Sequence, residues 1–213
     1  PFVRKTISDN NELEMIFTEI KILKLATETR NPHLLHLRCA YEQGDCAFLV
    51  SDLDLNTFLK SAHMIPWWTH REPEERLILL TDWMACIASG LSALHKQNIK
   101  YLDMKPENIL LDADLLPVIC DFGLSKVFKK CSKYPKNLGR RAYMPPEHLK
   151  GKNARKGDIF SLGLLFIDLG LFFFGQKSLN NYCTSGFYAD ITANLSKFLA
   201  ERFQHLGDCI QDK

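Results

Sequence analysis

The stretch Tyr101-Leu-Asp-Met-Lys-Pro-Glu-Asn108 decides the fold of this chain, together with Asp121-Phe-Gly123 further along. Short apolar runs at 109–111 and 118–120 predict two strands, and the polar residues of both stretches lie at the strand ends. Asp and Asn oxygens are ligands that a hard cation such as Mg²⁺ prefers, and Mg²⁺ commonly accompanies phosphates. The sequence therefore predicts a metal and phosphate site here.

Two amphipathic helices are predicted upstream of this site. Apolar residues recur at helical spacing over 13–23, which predicts a helix that ends near residue 26, with Ser8 or Asp9 as its N-cap. Glu19 lies on the apolar stripe of that helix, where a carboxylate needs a partner. A second apolar series, over 77–94, steps by three and four residues and predicts a longer helix.

Extended segments are predicted at 2–7, 34–41 and 46–51, and a polar turn joins the last two as a hairpin. Residues 124–141 show little periodicity, which predicts a long loop of the functional or mobile kind. The apolar run 159–174 is broken by Asp168 and two glycines, so we predict a buried core helix and not a membrane span.

The composition fits one globular domain or two small lobes. The 213 residues are 46% hydrophobic, and the formal net charge of +2 gives no strong field towards nucleic acid or an anionic membrane. The seven cysteines include no CxxC pair, which argues against a disulfide framework or a zinc module. This cysteine pattern favours a reducing, intracellular location, either cytoplasmic or nuclear.

The motifs occur in the order found in the eukaryotic protein kinase family, which this sequence resembles over nearly its whole length. Residues 101–108 resemble the catalytic loop H-R-D-L-K-P-E-N, residues 121–123 are an intact D-F-G, and residues 145–147 resemble A-P-E. Residues 157–163 resemble the D-x-W-S-x-G start of a buried helix. In the family, the residue matching Asp158 caps the backbone of the catalytic loop.

The resemblance implies an α+β, protein-kinase-like fold with two lobes. Residues 1–52 would form a truncated, β-rich small lobe, and residues 53–213 a mainly helical large lobe with the catalytic loop and activation segment. The family's G-x-G-x-x-G loop would precede Pro1, and its last helices would follow the end of the sequence. The resemblance therefore suggests a fragment.

The resemblance also implies roles for the residues of the catalytic loop. Asp103 would orient the substrate hydroxyl and accept its proton, and Lys105 would neutralise charge on the transferring phosphoryl group. Asn108 belongs to the same catalytic set and, together with Asp121, would hold Mg²⁺ against the phosphates of ATP.

The nucleotide-binding residues of the small lobe follow from two further likenesses. Residues 2–5 resemble the V-A-I-K strand, and residues 17–23 resemble the helix that carries the glutamate partner of its lysine. Lys5, fixed by Glu19, would bind the α- and β-phosphates of ATP. This pair would explain the carboxylate on an otherwise apolar stripe.

The implied function is that of a protein serine/threonine kinase, because Lys105-Pro-Glu107 is the serine/threonine form of the loop. One alternative is a catalytically impaired pseudokinase that acts as a protein-interaction scaffold. Leu102 replaces the loop arginine and Arg140 replaces a small hydroxyl residue, and both changes favour that alternative. A small-molecule kinase of related architecture is a further alternative, although the motifs match protein kinases better.

The loop 126–141 is basic and lies where a peptide substrate would dock. Seven basic residues and no acidic one occur in it: Lys126, Lys129, Lys130, Lys133, Lys136, Arg140 and Arg141. They predict protein substrates that are acidic around the acceptor, with a merely solvated basic loop as the alternative. The expected partners include no nucleic acid, and the sequence leaves the oligomeric state open.

Several residues outside the catalytic set carry smaller predictions. Tyr101 replaces the usual loop histidine and is expected to be a packing exchange, and Ser125, Ser132 and Tyr134 are candidate modification sites. Cys120 is expected to be a buried strand residue and not a reactive thiol. The Trp67-Trp68 pair is expected to contribute packing.

Overall fold

The computed structural model describes residues 2–6, 10–36, 46–50, 53–127, 143–145 and 155–175. The first sheet consists of β1 (Phe2–Thr6) and β2 (Cys46–Val50), which pair antiparallel. Both strands were predicted from the sequence. Of the predicted segment 34–41, only the start is described, where Leu34 makes a single parallel bridge to Ile119.

The first helix, α1 (Asn10–Glu28), ends two residues beyond the predicted boundary. Its buried side chains join the core that it shares with the other helices: Ile22, Leu23 and Ala26. Glu19 is buried on the same side, whereas Phe17 is 63% exposed. The predicted caps at Ser8 and Asp9 lie outside the described residues.

Backbone hydrogen bonds join the segment that follows α1, residues 31–35, to Ile119. Ile119 N–H donates to the His33 oxygen, and Leu35 N–H donates to the Ile119 oxygen, both at 2.9 Å. Asn31 adds a side-chain bond from its Nδ2 to Ser89 Oγ at 3.1 Å. These bonds place the end of α1 beside the strands that carry the candidate site.

Two small antiparallel sheets frame the candidate site. One has the order β3 (Leu53–Asp54), β5 (Ile109–Leu111), β6 (Pro117–Ile119), and the other pairs β4 (Ile99–Lys100) with β7 (Lys126–Val127). The strands predicted at 109–111 and 118–120 are confirmed, the second with a shift of one residue. Residues 101–108, the predicted catalytic loop, run from β4 to β5, and Asp121 follows β6.

The longest helix, α4 (Pro73–Lys96), confirms the second amphipathic pattern and extends it at both ends. Its start is a capping box, in which Glu72 N–H donates to Glu75 Oε2 at 3.2 Å. Its buried side is formed by Leu80, Trp83, Ile87, Gly90, Leu91 and Leu94. By length and composition α4 could also cross a bilayer, but core helices pass the same test, and no membrane span is established.

The apolar run predicted as a core helix forms most of α5 (Arg155–Phe173). Its buried apolar side chains are Leu162, Leu164, Leu165, Leu169 and Leu171. A helix with apolar residues on nearly every side requires burial, and α5 packs against α4.

An aromatic cluster connects α5 with the short helices α2 (Leu55–Ser61) and α3 (Pro66–Thr69). The Phe58 ring stacks on Trp67 with centroids 5.4 Å apart and meets Trp68, Trp83 and Phe172 edge-on at 5.2–5.7 Å. The prediction that the tryptophan pair contributes packing is confirmed.

Candidate active site

Asp103 is the centre of a hydrogen-bond network in the loop between β4 and β5. Its Oδ2 accepts from Lys105 Nζ at 2.5 Å and from Asn108 Nδ2 at 2.7 Å. The Asn108 amide also donates to the backbone oxygen of Asp103 at 2.9 Å. Asp103 is only 9% exposed, so these charge-assisted bonds are strengthened by partial exclusion of water. The D-x-K-x-x-N spacing thus gathers three predicted site residues around one carboxylate.

Asp158, at the start of α5, anchors this loop from the side of the helical core. Its Oδ1 accepts from Leu102 N–H at 2.8 Å, and its Oδ2 accepts from Tyr101 N–H at 2.9 Å. The same Oδ2 lies 2.8 Å from His95 Nε2 at the end of α4. The predicted capping role of Asp158 is confirmed by these bonds.

Leu102 shows why such an anchor is needed. Its φ of 71° lies in the left-handed region, which costs a residue with a Cβ about 1–2 kcal/mol. The Asp158 carboxylate accepts from the two successive peptide groups that flank Tyr101, and the second of these enters the φ torsion of Leu102, so these bonds offset that strain. The next residue is Asp103, so the backbone strain lies directly beside the proposed base.

Asp121 follows β6 and also has a left-handed backbone, with φ at 51°. Its Oδ1 accepts from Gly123 N–H at 3.2 Å. A Cβ at Gly123 would lie 3.2 Å from Asp121 Oδ1 and 3.8 Å from Glu19 Oε2. The two carboxylates therefore approach one small region, which attracts a cation and which a larger residue at position 123 would crowd.

The buried side chain of Tyr101 contacts Cys120 and Phe122, the residues on either side of Asp121. Its hydroxyl donates to the Cys120 oxygen at 2.5 Å, and its ring meets the Phe122 ring edge-on at 5.8 Å. Burial raises the pKa of Tyr101 well above 10.0, and electrostatic interactions with Cys120, Asp103 and Asp121 add to this. The phenol therefore stays protonated and remains a hydrogen-bond donor. Tyr101 does more than the predicted packing exchange.

Cys120, the residue before Asp121, is buried as predicted. Burial, followed by the charge of Asp121, raises the pKa of this thiol from 9.0 to about 12. A thiol in this state is a poor nucleophile, because the thiolate is the reactive form.

The chemistry of Asn108 and Asp121 fits a Mg²⁺ ion. Since Nδ2 of Asn108 donates to Asp103, Oδ1 is the side-chain atom of Asn108 that could serve as a metal ligand. Cys120 N–H donates to the Asn108 backbone oxygen at 2.9 Å, which ties the two ligand-bearing segments together. Two oxygen-bearing side chains are typical of Mg²⁺ sites completed by phosphates and water.

Several predicted site residues lie partly or wholly outside the described residues. The backbone of Lys5 lies in β1 opposite Ala47, but its side chain is not described. Arg140, Glu147 and most of the basic loop 126–141 also lie outside. The pairing of Lys5 with Glu19 stays a prediction.

Two further residues at the site were not assigned a role there by the sequence. His95 contacts Asp158, and its position six residues before Tyr101 was the available signal. Ser125 donates from Oγ to the Tyr101 oxygen at 3.0 Å and is 1% exposed. In this structure Ser125 is therefore inaccessible to modification, contrary to the sequence-based suggestion. No local pattern predicted its bond to a residue 24 positions away.

The comparison with protein families agrees with this geometry. A family model described as "Protein kinase domain" matches residues 2–204. The chain belongs to the protein kinase family. The resemblance stated from its motifs is confirmed, and the helix-rich structure with few strands is compatible with the α+β class.

Individual relatives of this protein kinase include named serine/threonine kinases. The chain is 30% identical to the serine/threonine-protein kinase AtPK1/AtPK6 of Arabidopsis thaliana over 76% of its length and 33% of the relative. It is 29% identical to the serine/threonine-protein kinase ULK3 of Xenopus laevis over 78% of its length and 34% of the relative. The chain thus spans about a third of these relatives.

Proposed function

We propose that this chain is the catalytic domain of a serine/threonine protein kinase, which transfers the γ-phosphoryl group of ATP to hydroxyl groups of proteins. The observation that carries the proposal is the Asp103 carboxylate, bound through Oδ2 by Lys105 and Asn108. The names of the relatives, which are serine/threonine kinases, support the acceptor class.

In this mechanism Asp103 acts on the substrate hydroxyl. Because both donors occupy Oδ2, the Oδ1 atom receives the hydrogen bond of the hydroxyl and then its proton. Lys105 Nζ, 2.5 Å from Asp103, places a positive charge beside the phosphoryl oxygens. The chain contributes positioning and electrostatic stabilisation, with no covalent intermediate on the protein.

ATP and Mg²⁺ are the cofactors of the proposed reaction. Asn108 and Asp121 would hold the metal, which would neutralise phosphate charge when bound. Lys5, oriented by Glu19, binds the α- and β-phosphates. In the proposed two-lobe arrangement, residues 1–52 supply this pair and residues 53–213 supply the catalytic loop.

The test is calorimetric titration of the chain, and of any longer form of the protein, with Mg²⁺-ATP. We expect binding that falls more than about tenfold in Asp121→Asn, because a carboxylate ligand is lost. The matched control is Asp114→Asn, an exposed turn residue after β5, which should bind like the wild type. Phosphate transfer to a generic protein should be lost in Asp103→Asn.

The second candidate is a pseudokinase scaffold, and Leu102 is the observation that favours it. A leucine cannot bind a phosphate on the activation segment, so that route of control is absent at this position. Absence of Mg²⁺-ATP binding in every form of the protein would favour the scaffold. Phosphorylation of a generic protein, but not of a small alcohol or an aminoglycoside, would support a protein kinase over a small-molecule kinase.

The proposed substrates are intracellular proteins, in the cytoplasm or nucleus, with acidic residues around the acceptor. The support is the excess of basic residues in 126–141. A peptide array should show preference for Asp or Glu near the phosphorylated residue, and a profile indifferent to charge would contradict the proposal.

A further inference from the structure

Two residues of the candidate site have a left-handed backbone although neither is glycine. Leu102 has φ of 71° and directly precedes Asp103, and Asp121 has φ of 51°. Such backbone is disfavoured for residues with a Cβ and persists only where the surroundings hold it. The residues that hold it therefore control where both aspartates lie.

The carbonyl group that precedes each left-handed residue accepts a hydrogen bond from a side-chain hydroxyl. The Cys120 oxygen, before Asp121, accepts from Tyr101 Oη at 2.5 Å. The Tyr101 oxygen, before Leu102, accepts from Ser125 Oγ at 3.0 Å. A carbonyl of the preceding residue lies in the peptide plane that enters the φ torsion, so each hydroxyl bond restrains one left-handed φ.

The two bonds are reciprocal. Tyr101 belongs to the catalytic loop and holds the plane before Asp121, whereas Ser125 follows Asp121 and holds the plane before Leu102. Tyr101 is fully buried and Ser125 is 1% exposed, so water does not compete for either carbonyl. A phenol is protonated across the neutral range, so its hydroxyl remains a donor there.

We propose that Ser125 and Tyr101 form a hydroxyl lock, in which Ser125 positions Asp103 through the Leu102 peptide and Tyr101 positions Asp121 through the Cys120 peptide. The inference rests on the proposed function for the roles of the two aspartates. Ser125 and Tyr101 are positioning residues, because they act on backbone carbonyls and not on substrate or cofactor.

The lock predicts different kinetic defects for its two members. Ser125→Ala lowers kcat about three- to tenfold, as expected for one lost hydrogen bond, with KM for ATP unchanged because Asp121 stays in place. Tyr101→Phe weakens Mg²⁺-ATP binding by a similar factor, because the metal ligand loses its restraint. In Ser125→Cys the weak thiol donor gives an intermediate kcat.

Matched controls remove hydroxyls of the same type elsewhere in the core. Ser161→Ala removes a buried Oγ that donates to the Gly157 oxygen at 3.0 Å within α5. Tyr143→Phe removes a buried hydroxyl that donates to Asp168 Oδ2 at 2.5 Å. Both hydroxyls bond acceptors that lie outside residues 101–103 and 120–125, and both variants should leave Mg²⁺-ATP affinity unchanged.

Hydrogen exchange measured by mass spectrometry tests the lock without any activity. Ser125→Ala should speed amide exchange over 102–105, and Tyr101→Phe should speed exchange over 121–125, with the rest of the chain unchanged. Unchanged exchange in both segments, or equal acceleration throughout the chain, overturns the lock. If the wild type neither binds Mg²⁺-ATP nor transfers phosphate, the proposed function fails, and the exchange data still decide the lock.

Discussion

Asp158 is the residue on which the backbone of the catalytic loop depends. It is 1% exposed. Its two oxygens accept hydrogen bonds from the N–H groups of Tyr101 and Leu102, and Oδ2 also contacts His95 Nε2. A buried carboxylate is tolerated only when donors surround it, and removing it leaves those donors unsatisfied.

Replacing Asp158 should destabilise the chain strongly. We expect Asp158→Ala to lower the free energy of unfolding by about 3–5 kcal/mol, because buried donors lose a charged acceptor. Urea denaturation followed by circular dichroism measures the change. Asp82→Ala, at an exposed position of α4, is the control and should change the free energy by less than about 0.5 kcal/mol. Similar small changes in both variants would contradict the anchoring role.

Cys120 predicts a dependence of stability on alkaline pH. Its pKa is raised from 9.0 to about 12 in the folded chain, so the unfolded chain loses the proton first. The stabilisation is fully present below pH 9 and is lost as the pH rises from 9 towards 12. In urea titrations between these values, wild-type stability should fall more steeply with pH than that of Cys120→Ala. Equal slopes of stability against pH in the two proteins would show that folding does not raise the pKa of this thiol.

The contact between α4 and the segment that follows α1, residues 31–35, depends on Gly90, because this residue has no side chain. A Cβ at Gly90 would lie 2.8 Å from the His33 backbone oxygen and 3.0 Å from Ile119 Cδ1. Backbone and a buried isoleucine cannot move aside easily, so the close approach of helix and segment requires glycine here.

A pair of glycine substitutions separates this packing requirement from helix propensity. Gly90→Ala should lower the free energy of unfolding by about 1–3 kcal/mol through overpacking. Gly163→Ala, inside α5 with no described atom within 4 Å of the added Cβ, should raise it by about 0.5–1 kcal/mol. Thermal unfolding of both variants provides the measurement. Stabilisation by both substitutions would mean that α4 does not pack closely on His33.

At the scale of the whole molecule, the aromatic cluster joins four helices into one unit. Phe58 from α2 contacts Trp67 and Trp68 from α3, Trp83 from α4 and Phe172 from α5. All three tryptophans of the chain belong to it, so tryptophan fluorescence reports on this unit alone.

Loss of the central ring should destabilise the helical part of the chain cooperatively. We expect Phe58→Ala to cost about 3–5 kcal/mol, because a fully buried ring is replaced by a cavity. Fluorescence and circular dichroism should shift to lower urea together. Separate transitions for the two signals would mean that the four helices do not unfold as one unit.

Much of this arrangement was predictable from local pattern. The strands around Asn108 and before Asp121, the span of α4 and the burial of α5 follow from periodicity and from turn residues, which act over a few positions. The apolar pattern predicts that Phe17 lies on the buried face of α1, but its side chain is 63% exposed. Spacing defines a face of a helix, and only the neighbouring elements decide which part of that face is covered.

The sequence by itself determined the family, the long helices α1, α4 and α5 and the strands β1, β2, β5 and β6, because these follow from motifs and local periodicity. It also predicted the set Asp103, Lys105, Asn108 and Asp121, because these residues stand in family motifs beside strand ends. The tertiary structure alone decided the contacts between distant segments. Asp158 reaches Leu102 across 56 positions, and Ser125 reaches Tyr101 across 24. Such bonds depend on how helices and strands pack, and they hold the left-handed backbone of Leu102 and Asp121, for which local sequence gives no signal.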